Sequence, residues 1–163
     1  MEERFYKKIH IDRRANGLYD LTFLYANGAD PAVPRDEIHN HYEIIFFISG
    51  EAELVSEFGQ QKLKPNTAIV LPPNTYHKLI ICEEKMLYKR IVLAFHDISE
   101  ISELIGDKMK KFLLLQSDEL THLFMQIPNL YCSKYSYIEI NALGKALLSQ
   151  ILVCFNMADR RSN

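Results

Sequence analysis

The chain has 163 residues, 48% of them hydrophobic, and a formal net charge of −2. Such a length suits one domain with a hydrophobic core, and a nearly balanced charge without clustered Lys and Arg argues against a nucleic-acid-binding surface. With three cysteines, no Cys-x-x-Cys pair and no apolar N-terminal run, the sequence predicts a cytoplasmic protein without a disulfide framework, a signal peptide or a segment of transmembrane length.

The first residues are predicted to form an N-terminal arm. They are charged and show no regular apolar pattern. Phe5, Tyr6 and Ile9 are the apolar side chains available to anchor such an arm. We therefore predict that residues 1–15 close over the mouth of the β-domain that follows them.

Residues 16–97 are predicted to form a β-barrel. Turn residues such as Asn27-Gly28 and Ser49-Gly50 separate short runs rich in β-branched and aromatic residues. Strands at this regular spacing are typical of an antiparallel sandwich or barrel. The predicted strands are 18–25, 42–48, 52–58, 67–71, 76–81 and 86–95.

Residues 98–160 are predicted to be a helical segment that packs on the barrel. The predicted helices are 98–105, 117–131 and 137–157, where apolar residues recur at helical spacing between capping and breaking residues. The last helix carries an apolar stripe wide enough to cover the sheet and to contact a second copy of the chain. As an alternative, the stripe covers the sheet and nothing else. The predicted homodimer interface consists of Leu143, Leu147, Ile151 and Phe155.

Two histidines and a glutamate alternate at the entry of a predicted strand. Side chains at positions i, i+2 and i+4 of a strand point to one face, so His39, His41 and Glu43 are expected to converge. A third imidazole, His77, follows a rigid double proline and precedes an apolar run. These four side chains predict the polar lining of a binding pocket or a metal site at the barrel mouth.

Spacings in this region match the two cupin motifs. Six residues separate Glu43 from Gly50, as in the first motif. Asn stands in place of both glycines of the second motif, and Asn tolerates the left-handed backbone better than other non-glycine residues. The chain therefore resembles the cupins and, more narrowly, the N-terminal effector-sensing domain of AraC-type transcriptional regulators. The residues that keep the intervals of the second motif are Asn66, Pro72, Asn74 and His77.

The resemblance, which extends from about residue 15 to the end of the chain, implies a mainly β fold with C-terminal helices. The expected architecture is a cupin-type double-stranded β-helix, or jelly roll, followed by two or three helices. The resemblance also implies a small-molecule effector, a sugar or another metabolite, bound inside the barrel, and a homodimer formed through the helices. DNA would be contacted by a separate helix-turn-helix domain, which no segment of this sequence resembles.

The first motif departs from the cupin pattern in one respect. Cupins have three or four residues between the second histidine and the glutamate, whereas one residue separates His41 from Glu43. Anchoring the motif on Glu43 puts His39 at the second histidine position and Glu37 at the first, so that His41 is an additional imidazole. Three ligands on one strand would also span about 13 Å. We therefore favour no metal cofactor. A divalent transition metal, if bound, is predicted on His39, His41, Glu43 and His77.

Three further side chains are predicted to line the barrel: Phe47, Tyr88 and Arg90. Arg90 shares strand parity with Tyr88, so an inward guanidinium beside a phenol could bind an anionic or hydroxylated ligand. A solvent-exposed Arg90 is the alternative. Glu43 lies among apolar residues, and its carboxylate needs a partner such as His77 or Arg90, because a buried unpaired charge is costly.

The sequence thus favours a non-enzymatic sensor domain that binds a small effector and has no catalytic residues. Two alternatives stay open. The first is a stand-alone cupin metalloenzyme, a dioxygenase or an isomerase, that holds its metal on the three histidines and Glu43. The second is a helix-mediated interaction module whose barrel is filled by its own side chains.

Overall fold

The computed structural model describes residues 4–13, 19–28, 36–82, 87–132 and 134–161. Within these ranges the strands are β1 Phe5–Arg13, β2 Tyr19–Asn27, β3 Tyr42–Ser49, β4 Glu51–Ser56, β5 Gly59–Lys62, β6 Thr67–Leu71, β7 His77–Cys82, β8 Lys89–Phe95 and β9 Leu113–Gln116. The helices are α1 Asp118–Phe124, α2 Ile127–Cys132 and α3 Tyr137–Arg161. Two 3₁₀ turns, Ser102–Leu104 and Asp107–Lys110, precede β9.

The strands form two sheets that pack face to face. The larger sheet has the strand order β1-β2-β8-β3-β6-β9, and the smaller sheet has the order β5-β4-β7. All pairings between these strands are antiparallel. The predicted fold class, a mainly β jelly roll followed by C-terminal helices, is confirmed.

Strand β3 separates two hydrophobic cores. Ile44 and Phe46 are buried on the helix side of the larger sheet, whereas Ile45 and Phe47 are buried between the two sheets. Successive side chains of a strand point to opposite faces, and β3 is apolar on both faces because both are covered. Glu43 has the same parity as Ile45 and Phe47, so its carboxylate belongs to the space between the sheets.

The turn residues of the two motifs adopt the backbone conformations expected of them. Asn66 and Asn74 have φ angles of 61° and 65°, in the left-handed region that Asn tolerates. Gly50 has a φ of 105°, and a Cβ added to it would lie 2.8 Å from the Cα of Tyr88. Glycine is required at this position for two reasons. It accepts a positive φ, and it allows the β3–β4 turn to approach the backbone that enters β8.

The N-terminal segment is an edge strand of the larger sheet. β1 pairs with β2 along its whole length, and Ile9 and Ile11 pack into the helix-side core. Apolar residues alternate along β1 over a short stretch that is interrupted by charged residues. This pattern is a weak signal in the sequence but is sufficient for a half-buried strand. The prediction of an irregular arm over the mouth is therefore wrong for residues 4–13. Residues 1–3 and 14–15 lie outside the described part of the chain.

Other differences from the predicted elements concern β5, β9 and the helices that precede α3. β5 is polar and shows no apolar alternation, but a tight turn after β4 returns the chain along it. β9 lies within the segment predicted to be helical and completes the larger sheet beside β6. The predicted helix 98–105 is instead a 3₁₀ turn. The predicted helix 117–131 is divided into α1 and α2, because Pro128 has no N–H for a continuous helix and is tolerated in a first turn.

Helix α3 packs one face on the larger sheet. Leu147, Ile151 and Phe155 are 7%, 0% and 0% exposed and belong to the helix-side core. Side chains buried in this way do not present a surface to a second copy, so the predicted dimer interface is wrong at these three positions. Leu143, which is 38% exposed, lies on the surface.

By length and composition alone, Tyr137–Ala158 of α3 could cross a membrane. The prediction that no segment reaches such a length is corrected on this point. The core helix of a soluble protein passes the same test, and α3 buries one face against the sheet. The helix is therefore weak support for a membrane span.

Candidate functional site

The polar residues that precede β3 lie on an irregular segment held against β7. His39 and His41 come before the strand, and Glu43 lies on it. The prediction that the three side chains alternate along one strand is therefore wrong. Instead, Glu37 forms an isolated antiparallel bridge with His77, with N···O distances of 2.9 and 3.0 Å. This bridge brings the segment across to the smaller sheet.

Further contacts hold the same segment in place. The backbone N–H of Asn74 donates to the carbonyl oxygen of His39 at 2.6 Å. The hydroxyl of Tyr76 donates to the carboxylate of Asp36 at 2.9 Å, and the ammonium of Lys78 lies 3.7 Å from that carboxylate. The turn of the second motif thus positions the backbone of the first.

Two imidazoles and two carboxylates converge at this end of the barrel: Glu37, His39, Glu43 and His77. The Nε2 atom of His39 lies 3.2 Å from a carboxylate oxygen of Glu43 and 3.6 Å from one of Glu37. The Nε2 atom of His77 lies 3.4 Å from Glu37 and 3.8 Å from the other oxygen of Glu43. Each imidazole therefore faces both carboxylates.

His77 is oriented as a ligand. The side chain is 2% exposed, and its Nδ1 atom lies 3.2 Å from the carbonyl oxygen of Thr75. A neutral ring that donates Nδ1–H to this carbonyl keeps its lone pair on Nε2. Nε2 is buried and faces the carboxylates of Glu37 and Glu43. A histidine that is fixed through one nitrogen and presents the other is the usual arrangement in metal sites.

The charges of the cluster depend on one another. Burial raises the pKa of Glu43, although the nearby His77 and His39 oppose this shift. The contact with His77 lowers the pKa of Glu37. Burial alone would lower the pKa of His77, but the carboxylates of Glu37 and Glu43 outweigh it and raise that pKa. A cation bound here would favour the ionised form of Glu43, which burial opposes.

His41 occupies a neighbouring position. Its ring stacks on that of His39, with centroids 4.7 Å apart and an angle of 12° between the planes. The ring of His96 meets it edge-on at 5.7 Å. Burial first, and then the charges of His39 and His96, lower the pKa of His41 to about 4. His41 is therefore neutral at neutral pH.

The donors of this cluster fit a divalent cation. Ligand atoms of Glu37, His39 and His77 lie within 4.8 Å of one another, and so do those of His39, His41 and Glu43. Imidazole together with carboxylate suits first-row transition metals such as Mn²⁺, Fe²⁺, Ni²⁺ and Zn²⁺. The buried Nε2 of His77, 3.4 Å from a carboxylate oxygen of Glu37, favours the set containing Glu37.

A second group of polar side chains lies between the sheets. Arg90 is 8% exposed and donates from Nη1 to the carbonyl oxygen of Gly28 at 3.3 Å. Its guanidinium carbon lies 5.1 Å from the ring centroid of Tyr88, which in turn stacks on Phe47 at 5.4 Å. Burial raises the pKa of Tyr88 well above its usual range. The inward orientation predicted for Arg90 is the one observed.

Comparison with known proteins shows the family to which the sequence belongs. The model of the AraC-like ligand binding domain matches residues 18–152, most of the chain. The chain belongs to this family. No curated protein sequence matches it.

Solved structures similar to this AraC-like ligand binding domain include cupin proteins. A Cupin 2 conserved barrel domain protein from Salinispora arenicola is 17% identical, with a TM-score of 0.41 over 64% of this chain and 79% of that one. An RmlC-like cupin family protein from Methanocaldococcus jannaschii is 12% identical, with a TM-score of 0.46 over 63% and 88%. HppE with Fe(II) and substrate is 16% identical, with a TM-score of 0.39 over 47% and 46%.

Within this AraC-like ligand binding domain, most of the predicted lining residues lie at the barrel mouth or between the sheets. His39, Glu43 and His77 converge, and Phe47, Tyr88 and Arg90 form the second group. His41 stands beside the first group. Two site residues were not among the predicted lining set. The motif register pointed to Glu37, and no sequence signal pointed to His96.

Proposed function

We propose that the chain is the small-molecule effector-binding and dimerisation domain of an AraC-type transcriptional regulator. The observation that carries the proposal is the buried hydroxyl of Tyr88, a residue of the core between the two sheets, which makes no hydrogen bond. Buried polar groups are nearly always satisfied, so this hydroxyl favours a barrel that takes a ligand over one filled by its own side chains. A cytoplasmic location and DNA contact through a separate domain belong to the same proposal.

The larger sheet connects the site to the helices. Glu43 and Phe47 face the ligand side of β3, whereas Phe46 faces the other side and stacks on Phe124 of α1, with centroids 4.6 Å apart. A ligand changes an equilibrium through its different affinities for two arrangements. A small displacement of β3 on ligand binding would therefore be passed directly to α1 and to α3, against which α1 packs.

We further propose that two copies dimerise through the solvent-facing side of α3. Its exposed stripe alternates spacings of three and four residues, as in helix pairs that pack along their length. Leu143, Val153 and Met157 are 38%, 41% and 42% exposed. The stripe consists of Leu143, Ala146, Gln150, Val153 and Met157. The proposed division is a β-barrel over residues 16–97 and a dimerising helical segment over residues 98–160.

Introducing charge into this stripe is expected to separate the dimer. The double substitution Leu143→Glu and Val153→Glu should give a monomer in sedimentation velocity, because it buries two carboxylates at an apolar contact. Ile138→Glu changes a 79% exposed isoleucine of the same helix outside the stripe and should leave the dimer intact. A wild-type protein that is monomeric at high concentration, or a double variant that remains dimeric, contradicts the proposed interface.

Effector binding is tested by a thermal-shift screen of metabolites, followed by sedimentation with each compound that binds. We expect at least one compound to raise the melting temperature in a saturable manner and to alter the dimer or its shape. A library without any such compound contradicts the sensor function.

A second candidate function is a cupin metalloenzyme of the dioxygenase or isomerase type. The observation that favours it is the pair of overlapping donor sets, Glu37 with His39 and His77, and His39 with His41 and Glu43, either of which fits a divalent transition metal. Such a metal would supply Lewis-acid or redox chemistry next to the inter-sheet space. Metal analysis of protein purified without a histidine tag, together with a turnover assay on the compounds that bind, distinguishes the two functions.

A further inference from the structure

The space between the two sheets contains buried polar atoms without hydrogen bonds on more than one segment of the chain. Among the described residues, the hydroxyl of Tyr88 and Oε1 of Gln61 are buried without a hydrogen bond. Gln61 stands opposite Leu54 in the β4–β5 pairing, and Leu54 packs between the sheets. Residues directly opposite in an antiparallel pair share a face, so Gln61 points into the same interior.

Arg90 adds a positive charge to this interior. A guanidinium has five donor hydrogens, and among the described residues Nη1 of Arg90 donates to the carbonyl oxygen of Gly28. No carboxylate of the described residues lies within 4 Å of its guanidinium, since the contacts of Glu43 within that distance are with His39 and His77. A buried guanidinium is costly unless an anion pairs with it. Glu43 interacts with this guanidinium from beyond 4 Å, so an anion bound in direct contact with Arg90 would stabilise it further.

Tyr88 completes the recognition of such an anion. Its ring lies under the guanidinium of Arg90, and its hydroxyl is buried and unpartnered. A guanidinium and a phenol hydroxyl both donate hydrogen bonds, and a carboxylate can accept from both. A phosphate dianion would bring a second negative charge toward Glu43. The chemistry of the pair thus favours a monoanion.

We propose that the effector of this domain is a small hydroxylated carboxylic acid. Its carboxylate binds Arg90 and Tyr88, a hydroxyl donates to Oε1 of Gln61, and its carbon skeleton packs on Phe47 and Leu54. The inference rests on the proposed effector-binding function and names the chemical class of the ligand.

The test compares acids with alcohols of the same skeleton. The pairs are D-gluconate with D-glucitol, D-galacturonate with D-galactose, and lactate with propane-1,2-diol, and binding is measured by calorimetry on the intact chain. We expect an acid of the panel to bind and its alcohol to bind at least about 30-fold more weakly, because a buried charged hydrogen bond is lost. Arg90→Gln should remove this preference, and Arg90→Lys should restore part of it.

Tyr88→Phe gives a readout that a purely structural role would not produce. The substitution keeps the ring stacked on Phe47 and removes a hydroxyl that has no partner. We expect the ligand-free variant to melt at or above the wild-type temperature and to bind the acid about fivefold more weakly, the loss expected for one hydrogen bond. A purely structural hydroxyl would lower the melting temperature and leave the affinity unchanged.

The outcomes separate this inference from the function on which it rests. If the alcohols bind as tightly as the acids, if the metabolite library yields only neutral ligands, or if Arg90→Gln keeps the preference for acids, the carboxylate assignment is overturned and the sensor function stands. If no compound of any charge binds, both are overturned. Acids that bind wild type and lose affinity in Arg90→Gln support the assignment.

Discussion

Addition of a divalent transition metal is expected to raise the melting temperature of the wild-type protein by about 5–10 °C, and His77→Ala is expected to lose most of this gain. A ligand at about 100 times its dissociation constant stabilises the folded state by about 2.7 kcal/mol, and 1 kcal/mol corresponds to about 2–4 °C for a domain of this size. His77 presents a buried Nε2 toward both carboxylates. The measurement is thermal unfolding with Mn²⁺, Ni²⁺ or Zn²⁺ and with a chelator.

The same measurement on matched variants identifies the ligand set. Glu37→Ala should reduce the metal-induced shift as His77→Ala does, whereas His41→Ala should retain it. The opposite result, a shift lost in His41→Ala and kept in Glu37→Ala, would assign the metal to His39, His41 and Glu43. A wild-type melting temperature that no metal changes would contradict a metal site in this cluster.

Gly50→Ala is expected to destabilise the fold by about 3 kcal/mol, because a side chain at positive φ is strained and its Cβ would meet backbone atoms. The φ of Gly50 is 105°, and the added Cβ would lie 2.8 Å from the Cα of Tyr88 and 3.1 Å from the carbonyl oxygen of Leu87. Backbone atoms yield less readily than the end of a flexible side chain. The free energy of unfolding is measured by urea denaturation.

Gly59→Ala is the matched control. Its φ of 115° imposes a similar backbone strain, but an added Cβ would have no atom within 4 Å. We expect a loss of about 1–2 kcal/mol, the range of backbone strain alone. Equal losses at Gly50 and Gly59 would show that the close approach of the β3–β4 turn to Tyr88 does not contribute to stability.

Much of the barrel could be predicted because its signals are local. The strand ends at Asn27-Gly28 and Ser49-Gly50 follow from residues that accept positive φ, and the observed φ angles agree. The capping residue Ser117 marks the start of α1, where its hydroxyl accepts from the N–H of Leu120 at 3.3 Å. In each case the residue and its near neighbours in the chain carry the structural information.

The failures fall where distant segments decide the outcome. β5 and β9 have little strand character of their own and form because β4 and β6 offer backbone partners. The apolar stripe of α3 was broad enough to contact both the sheet and a second copy of the chain. In the structure, Leu147, Ile151 and Phe155 are buried against the larger sheet. Helical periodicity specifies an apolar face and not what covers it.

The sequence by itself determined the family, the jelly-roll class and the residue types of the site, because spacing and turn chemistry are properties of short segments. The tertiary structure decided which donors meet. The bridge between Glu37 and His77 joins segments 40 residues apart along the chain, and it places Glu37 in the cluster while His41 stacks outside it. Strand parity allowed either an inward or a solvent-exposed Arg90, and its burial emerged only when the two sheets were packed together. Contacts of this kind depend on how β-strands are paired across the barrel, and pairing is fixed by long-range burial and hydrogen bonding.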